Sequence, residues 1–242
     1  LAHGWSFNER SGTTVTNSAG GPDGTIRGTG WSRTAATPGG GPNPGQISLP
    51  GGSSASAPYI DLPNGIISNL EELTLEGWMA INGSQSWSRI YDFGTGTSGE
   101  INGPGGSATG ISNLLLSAQI GGNQGVKRFS MRANNVEQFV DVSDSTSNGQ
   151  QFHFAVVYDA DGNSGQPLLR YYKNGALVGQ LNTSYRLSQI IDVNNWLGRS
   201  NWTPDANTQG AYNEFRIWNG PLPEQVITDN GAAGPNALPA SP

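Results

Sequence analysis

Leu73-Thr74-Leu75-Glu76-Gly77-Trp78-Met79-Ala80-Ile81 alternates along its length. The odd positions are mostly aliphatic and point one way. Thr74, Glu76, Trp78 and Ala80 point the other, which is the period of a strand laid on a core. The same reading extends outward. Residues 151–158 place Phe152, Phe154 and Val156 on one face. Residues 168–173 and 176–181 flank Asn174-Gly175, the strongest hairpin signal in the chain, because both turn positions accept positive φ at little cost. Residues 213–218 set Phe215 and Ile217 opposite Glu214, Arg216 and Trp218. Asn-Gly or Asp-Gly pairs punctuate the chain elsewhere, at 23–24, 64–65, 82–83, 102–103, 148–149, 161–162 and 219–220. Helix signals are few: residues 223–230 have Pro223 near the start and Gly231 after the end. Residues 34–58 and 94–110 are rich in Gly, Pro and Ser and read as loops. The expected fold is all-β, an antiparallel two-sheet β-sandwich of the jelly-roll kind.

The bulk properties fit one large sandwich over residues 1–233, followed by a linker or tail over 234–242. A chain of 242 residues buries enough surface to be stable without staples. Cysteine is absent, which removes disulfides, cysteine-ligated zinc and thiol nucleophiles together. Charged residues make up 12%, about half of the roughly 25% usual for soluble domains. Solubility therefore rests on neutral polar side chains, a habit of secreted or cell-surface β-proteins. The net charge is −6, and the 12 Lys and Arg form no cluster, so no nucleic-acid partner is expected. No apolar run approaches the roughly 18 residues of a membrane span. The chain opens on Leu1 in a strand-like stretch, as a processed or excised domain would.

Several motifs carry a family resemblance. Trp5-Ser6-Phe7-Asn8-Glu9 through Gly12-Thr13, then Asn17-Ser18-Ala19-Gly20 and Asp23-Gly24-Thr25-Ile26, resemble the opening of the laminin-G-like branch of the concanavalin A-like lectin/glucanase superfamily. Leu75-Glu76-Gly77-Trp78, His153-Phe154-Ala155-Val156-Val157-Tyr158, Tyr172-Lys173-Asn174-Gly175, Leu197-Gly198-Arg199 and Asn213-Glu214-Phe215-Arg216-Ile217-Trp218 follow in the family's order. The resemblance implies a concanavalin A-like jelly roll. It also implies a choice among lectin-like modules, adhesive domains and glycosidases, since the fold hosts all three.

The residues narrow that choice. Cysteine is absent and His3 and His153 are the only histidines, which nearly excludes a nucleophilic triad. The "E-x-D-x-x-E" strand of the superfamily's glucanases is absent, leaving Glu76 and Glu214 as strand carboxylates that could converge. A polysaccharide hydrolase or lyase stays as a third reading. Sugar binding needs exposed aromatics beside amides and charges. The resemblance assigns Trp5, Trp78 and Trp218 to packing. Trp87 and Trp202 sit instead in polar runs, so Trp87, Arg89, Asn201, Trp202 and Asp205 form a candidate sugar platform if their loops meet. The alternative is that both tryptophans cap the core, with Arg89, Asp92 and Arg199 in internal ion pairs.

A structural Ca2+ suits loop oxygens. The resemblance brings Asn17 and Asp23 near Asn213 and Glu214. Asp159, Asp161 and Asn163 form a second set, which begins like an EF-hand loop but has Arg170 and Tyr171 where its closing glutamate would stand; a polar hairpin turn is the alternative. The leading expectation is a non-catalytic carbohydrate-binding module of a secreted bacterial protein, with a polysaccharide or other glycan as partner. The second is a structural or adhesive surface protein that self-assembles or packs on another surface protein, favoured by low charge and Gly-rich loops.

Overall fold

A computed structural model describes residues 1–35 and 45–237. In chain order the strands begin with β1 (His3–Trp5), β2 (Thr14–Val15), β3 (Gly24–Arg27), β4 (Ser32–Thr34), β5 (Gln46–Ser53) and β6 (Tyr59–Leu62). The middle of the chain supplies β7 (Leu73–Ile81), β8 (Arg89–Gly96), β9 (Gly110–Ser117), β10 (Val126–Ala133) and β11 (Val136–Ser143). The last are β12 (Gln151–Asn163), β13 (Gln166–Lys173), β14 (Ala176–Asn182), β15 (Asn194–Leu197) and β16 (Ala206–Asn219), before one helix, α1 (Glu224–Ala233).

The strands make two antiparallel sheets. The first runs β14-β13-β12-β7-β16-β5-β4, with β1 also on β16. The second runs β11-β10-β9-β8-β15-β6-β3-β2. This is the two-sheet sandwich expected from the alternation. Leu75 and Met79 on β7, Phe154 and Val156 on β12, and Phe215 and Ile217 on β16 all turn into the core between the sheets. There Phe215 meets Tyr91, Phe93 and Phe154 at centroid distances of 5.7–6.3 Å, within the range of favourable aromatic pairing. The hairpin at Asn174-Gly175 forms as expected, with φ of 49° and 82° and Lys173 opposite Ala176.

Three boundaries differ from the sequence reading. Residues 46–53, placed in a loop, are strand β5 despite Pro50, Gly51 and Gly52, because pairing with β16 from Ser53–Ala206 to Ile47–Tyr212 outweighs local preference. Residues 36–44 of that loop lie outside the described residues. β8 runs on to Gly96 and β9 starts at Gly110, so the second loop shortens to 97–109. The helix does not stop before Gly231. It ends at Ala233, with Gly234 at φ 82° as its C-cap. Gly231 is there for contact: a Cβ would sit 2.8 Å from the His153 ring.

α1 lies on the outer face of the first sheet, burying Ile227 against Ala155, Val157, Tyr172, Trp218 and Leu222. Under it lies a polar cluster. Arg216 Nη1 is 3.1 Å from Glu76 Oε1, Arg216 Nε is 2.7 Å from Glu214 Oε1, and His153 Nε2 is 3.4 Å from Glu76 Oε2. Of residues 234–237, the described part of the expected tail, Gly234 caps α1 and the rest dock beside the cluster: Arg216 donates to the Ala237 carbonyl, and the Asn236 N–H donates to Glu214. Residues 238–242 lie outside the described residues.

Candidate functional site

The opposite face of the sandwich, the outer side of the second sheet, is built around a buried carboxylate. Asp92 points outward from β8 and is wholly buried. Its Oδ1 accepts from Asn113 Nδ2 (3.1 Å) and Asn201 Nδ2 (2.9 Å), and its Oδ2 from the Asn201 N–H (3.0 Å). Burial pushes its carboxyl above the usual range, although Arg89 and these donors oppose the rise. What buries it is loop. Residues 97–109 fold over β15 and β6: Arg199 donates to the carbonyls of Gly103 and Gly105, and Asn194 bridges the Ile101 N–H and the Gly99 carbonyl. Even on β9, the outward-pointing Asn113 and Leu115 are 0% and 1% exposed.

The roof ends at two tryptophans. Trp202 lies flat over Gly110 at the start of β9, where a Cβ would come within 2.5 Å of the indole. Trp87, in the loop between β7 and β8, is held by its N–H to the Gly121 carbonyl (3.3 Å) and by Arg89, which donates to its carbonyl. Its φ is +54°. A bulky side chain in that region costs ~1–3 kcal/mol and persists where the surroundings impose it. Arg89 spans the gap. Its guanidinium is 5.9 Å from the Trp87 ring centroid and 5.7 Å from that of Trp202, and its Nη2 is 2.8 Å from Asp205 Oδ2. Asp205 also accepts from Ser200 Oγ (2.8 Å). Burial raises its pKa, against the pull of Arg89.

These groups enclose a cavity of about 220 Å³ lined by Trp87, Arg89, Arg128, Arg132, Glu137, Trp202 and Asp205. Four of the five residues expected for a sugar platform therefore meet around one opening. Asn201 does not. It is 1% exposed and works from beneath, fixing the Trp202 loop to Asp92. The alternative reading was half right as well: Arg89 does sit by Asp92, Nε to Oδ2 at 3.5 Å. Arg199, by contrast, makes no ion pair among the described residues. It stacks on Tyr59 and Trp196 at 4.6 and 4.5 Å. Arg128, Arg132 and Glu137, from the β10–β11 hairpin, were not singled out in the sequence. A larger cavity of about 560 Å³ lies among Glu71, Glu72, Asp161 and Arg186, but no aromatic side chain lines it.

Several of the oxygens considered for Ca2+ accept hydrogen bonds from the protein itself, while the buried Asn213 Oδ1 has no partner among the described residues. Asn17 Oδ1 accepts the N–H groups of Gly4 and Ala19, both at 3.1 Å, and Asp23 Oδ1 accepts that of Asn17 at 2.8 Å. Asn213 donates to Gln151 Oε1 (2.7 Å), and Glu214 is held by Arg216. Asp159 pairs with Arg170 at 2.9 Å and accepts from the Asp161 N–H, while Asn163 donates to Asn182. Among the described residues, no group of three or more His, Asp or Glu gathers as for a metal. Glu76 and Glu214 do converge, but on Arg216 beneath α1. Trp5 packs in the core, and Trp78 and Trp218 are buried on the α1 side. Among the described residues, no helix is long and apolar enough to cross a membrane.

The architecture recurs in solved structures of low identity. Domain 4 of AbnA, a GH43 extracellular arabinanase from Geobacillus stearothermophilus, in complex with arabinotriose, superposes with a TM-score of 0.68 at 18% identity, over 95% of this chain and 97% of that one. The binding domain of botulinum neurotoxin DC, in complex with rat synaptotagmin II, gives 0.63 at 17%, over 94% of this chain but only 50% of the toxin domain. The CBM40 of the Ruminococcus gnavus IT-sialidase gives 0.57 at 15%, over 76% and 96%. No curated protein matches the sequence. The sequence model of one family matches residues 54–228, from the turn after β5 to the middle of α1, so that the chain belongs to the concanavalin A-like lectin/glucanases superfamily.

Proposed function

We propose that this domain is a non-catalytic carbohydrate-binding module of a secreted or cell-surface protein. One observation carries the reading: Trp87 and Trp202 flank a single opening whose floor is the Arg89–Asp205 pair. Indole faces stack on the apolar face of a pyranose, and the charged pair offers donors and acceptors to its hydroxyls. At about 220 Å³ the cavity is below the ~300–1,000 Å³ of drug-sized sites and suits one ring. The positive φ of Trp87 supports the same reading, because strain of this kind collects at ligand clamps. The arabinotriose complex of the AbnA domain and the carbohydrate-binding module of the sialidase lend further support. Both carboxylates lining the cavity are engaged by arginines, Asp205 by Arg89 and Glu137 by Arg128, which favours holding a sugar over cleaving it.

The test is a glycan array probed with the wild-type domain and with Trp87→Ala and Trp202→Ala. The expected result is binding to a restricted set of glycans that each substitution weakens by about tenfold or more. Absence of binding across the array, or binding untouched by both substitutions, overturns the proposal.

A further inference from the structure

The cavity's arginines are not equivalent. Arg128 on β10 is saturated: its Nε and Nη2 donate to Asp141 at 2.8 and 3.0 Å, and its Nη1 to Glu137 at 3.2 Å. Arg89 is engaged by Asp205 and by the Trp87 carbonyl. Arg132, two pleat repeats further along β10, stands directly opposite Glu137 in the ladder. That carboxylate nevertheless leans away to Arg128. Among the described residues Arg132 has no carboxylate partner, and its Nε is buried with no acceptor. The guanidinium lies 5.5 Å from the Trp202 ring centroid, at the wall of the cavity.

A buried guanidinium Nε–H without an acceptor is costly, since that donor has left water and found nothing in return. Its contact with the Trp202 ring holds the planar fork in place before any ligand arrives, so little freedom remains to be lost on binding. We infer that Arg132 is an anion subsite, and that the sugar held between Trp87 and Trp202 carries an acidic substituent, a carboxylate or a sulfate, that Arg132 receives. The inference rests on the glycan-binding reading and sharpens it to acidic glycans. Carboxylate and sulfate both present paired oxygens that match the guanidinium fork, where a hydroxyl offers one. Arg89 and Arg128 cannot take this role without first releasing acidic side chains.

The experiment pairs each acidic glycan with its neutral counterpart: sialyllactose and sulfated lactose against lactose, and trigalacturonate against its carboxyl-reduced form, within a broader array of such pairs. Wild type, Arg132→Gln and Arg132→Lys are titrated, with melting curves to show that each variant is folded. The expected result is preference for one acidic series. Arg132→Gln then weakens the acidic member about ten- to a hundredfold and the neutral member much less, so that the preference for the acidic member is lost. Arg132→Lys, which keeps the charge but loses the fork, falls between. Raised salt weakens the acidic member selectively. The preferred series identifies carboxylate or sulfate. Equal binding of acidic and neutral members by wild type, or equal weakening of both by Arg132→Gln, overturns the subsite while the glycan reading stands. Binding to no glycan at all overturns both.

Discussion

Gly110→Ala tests how the site is held. The substitution adds one methyl group at the foot of Trp202. Its Cβ would lie 2.5 Å from indole Cη2 and 2.6 Å from Cζ2 and Cζ3. Ordinary carbon–carbon contact is about 3.5–4.0 Å, so the ring must withdraw by roughly 1 Å or more. Crowding of this kind costs ~1–3 kcal/mol in a packed core. Trp202 is on a loop and partly exposed, so the lower end applies, a loss of roughly 2–4 °C in Tm for a chain of this size. Binding should suffer more than stability. Displacing the ring disturbs its contacts with Arg89 and Arg132, at 5.7 and 5.5 Å, and removes one wall of the cavity. A tenfold drop in affinity corresponds to 1.4 kcal/mol, and about ten- to thirtyfold is expected. Isothermal titration with the best glycan from the array measures it, as one arm of a double-mutant cycle with Trp202→Ala. In the Trp202→Ala background the added methyl has no ring to displace and should leave affinity unchanged. Wild-type affinity in Gly110→Ala, or the same loss with and without the tryptophan, would refute the reasoning.

Three further outcomes follow from the geometry. Burial alone would raise the Glu76 carboxyl, but His153, Arg216 and Asn230 hold it below the usual range. Its ionised form thus adds stability that is present above the unfolded pKa near 4.5 and is lost as the pH falls through the lower folded value. Glu76→Gln should cost about 3–5 kcal/mol at neutral pH, and in urea unfolding its deficit relative to wild type should shrink in acid; a deficit constant with pH would contradict this. Lys127 is wholly buried, with Nζ donating to the Asp144 carbonyl at 2.6 Å and lying 3.3 Å from the Asp144 carboxylate; Asp144→Ala strands it and should lower stability by about 3–5 kcal/mol, which a melting curve within a degree of wild type would rule out. EDTA or millimolar Ca2+ should leave the Tm unchanged, because the oxygens of Asn17, Asp23 and Asp159 are already engaged; a rise of several degrees with Ca2+ would show a shell that these contacts do not reveal.

The sandwich was legible because β7, β12 and β16 carry their alternation openly, and because Asn174-Gly175 names its own turn between β13 and β14. β5 was not: Pro50-Gly51-Gly52 argues locally for a loop, and only pairing with β16 makes it a strand. The site divided along the same line. Trp87 and Trp202 stood out as aromatics in polar runs, and Arg89 and Asp205 lie within three residues of them, so their neighbourhood was visible. Arg128, Arg132 and Glu137 were not, because they reach the cavity through the β8–β9–β10–β11 pairing, which no spacing reports. Their hairpin turns on Asn134-Asn135, with φ of 51° and 62°, a two-residue turn that lacks the usual glycine and so gave a weaker signal. Asn201 failed as a ligand contact because an amide beside a tryptophan reads alike whether it faces solvent or a buried Asp92. Gly110 gave no signal, since what it accommodates lies 92 positions away.

The folded-over loop at 97–109 limits how much of the outer face of the second sheet is open to a ligand. It closes the outer face of the second sheet from β6 to β15, and the buried β9 side chains extend the closure, leaving the flank formed by β10 and β11. Two strands about 4.8 Å apart give a ledge of only ~10 Å. A long chain has no straight bed across it. For the glycan proposed above, so narrow a flank favours a terminal residue or a short branch over the interior of a polymer.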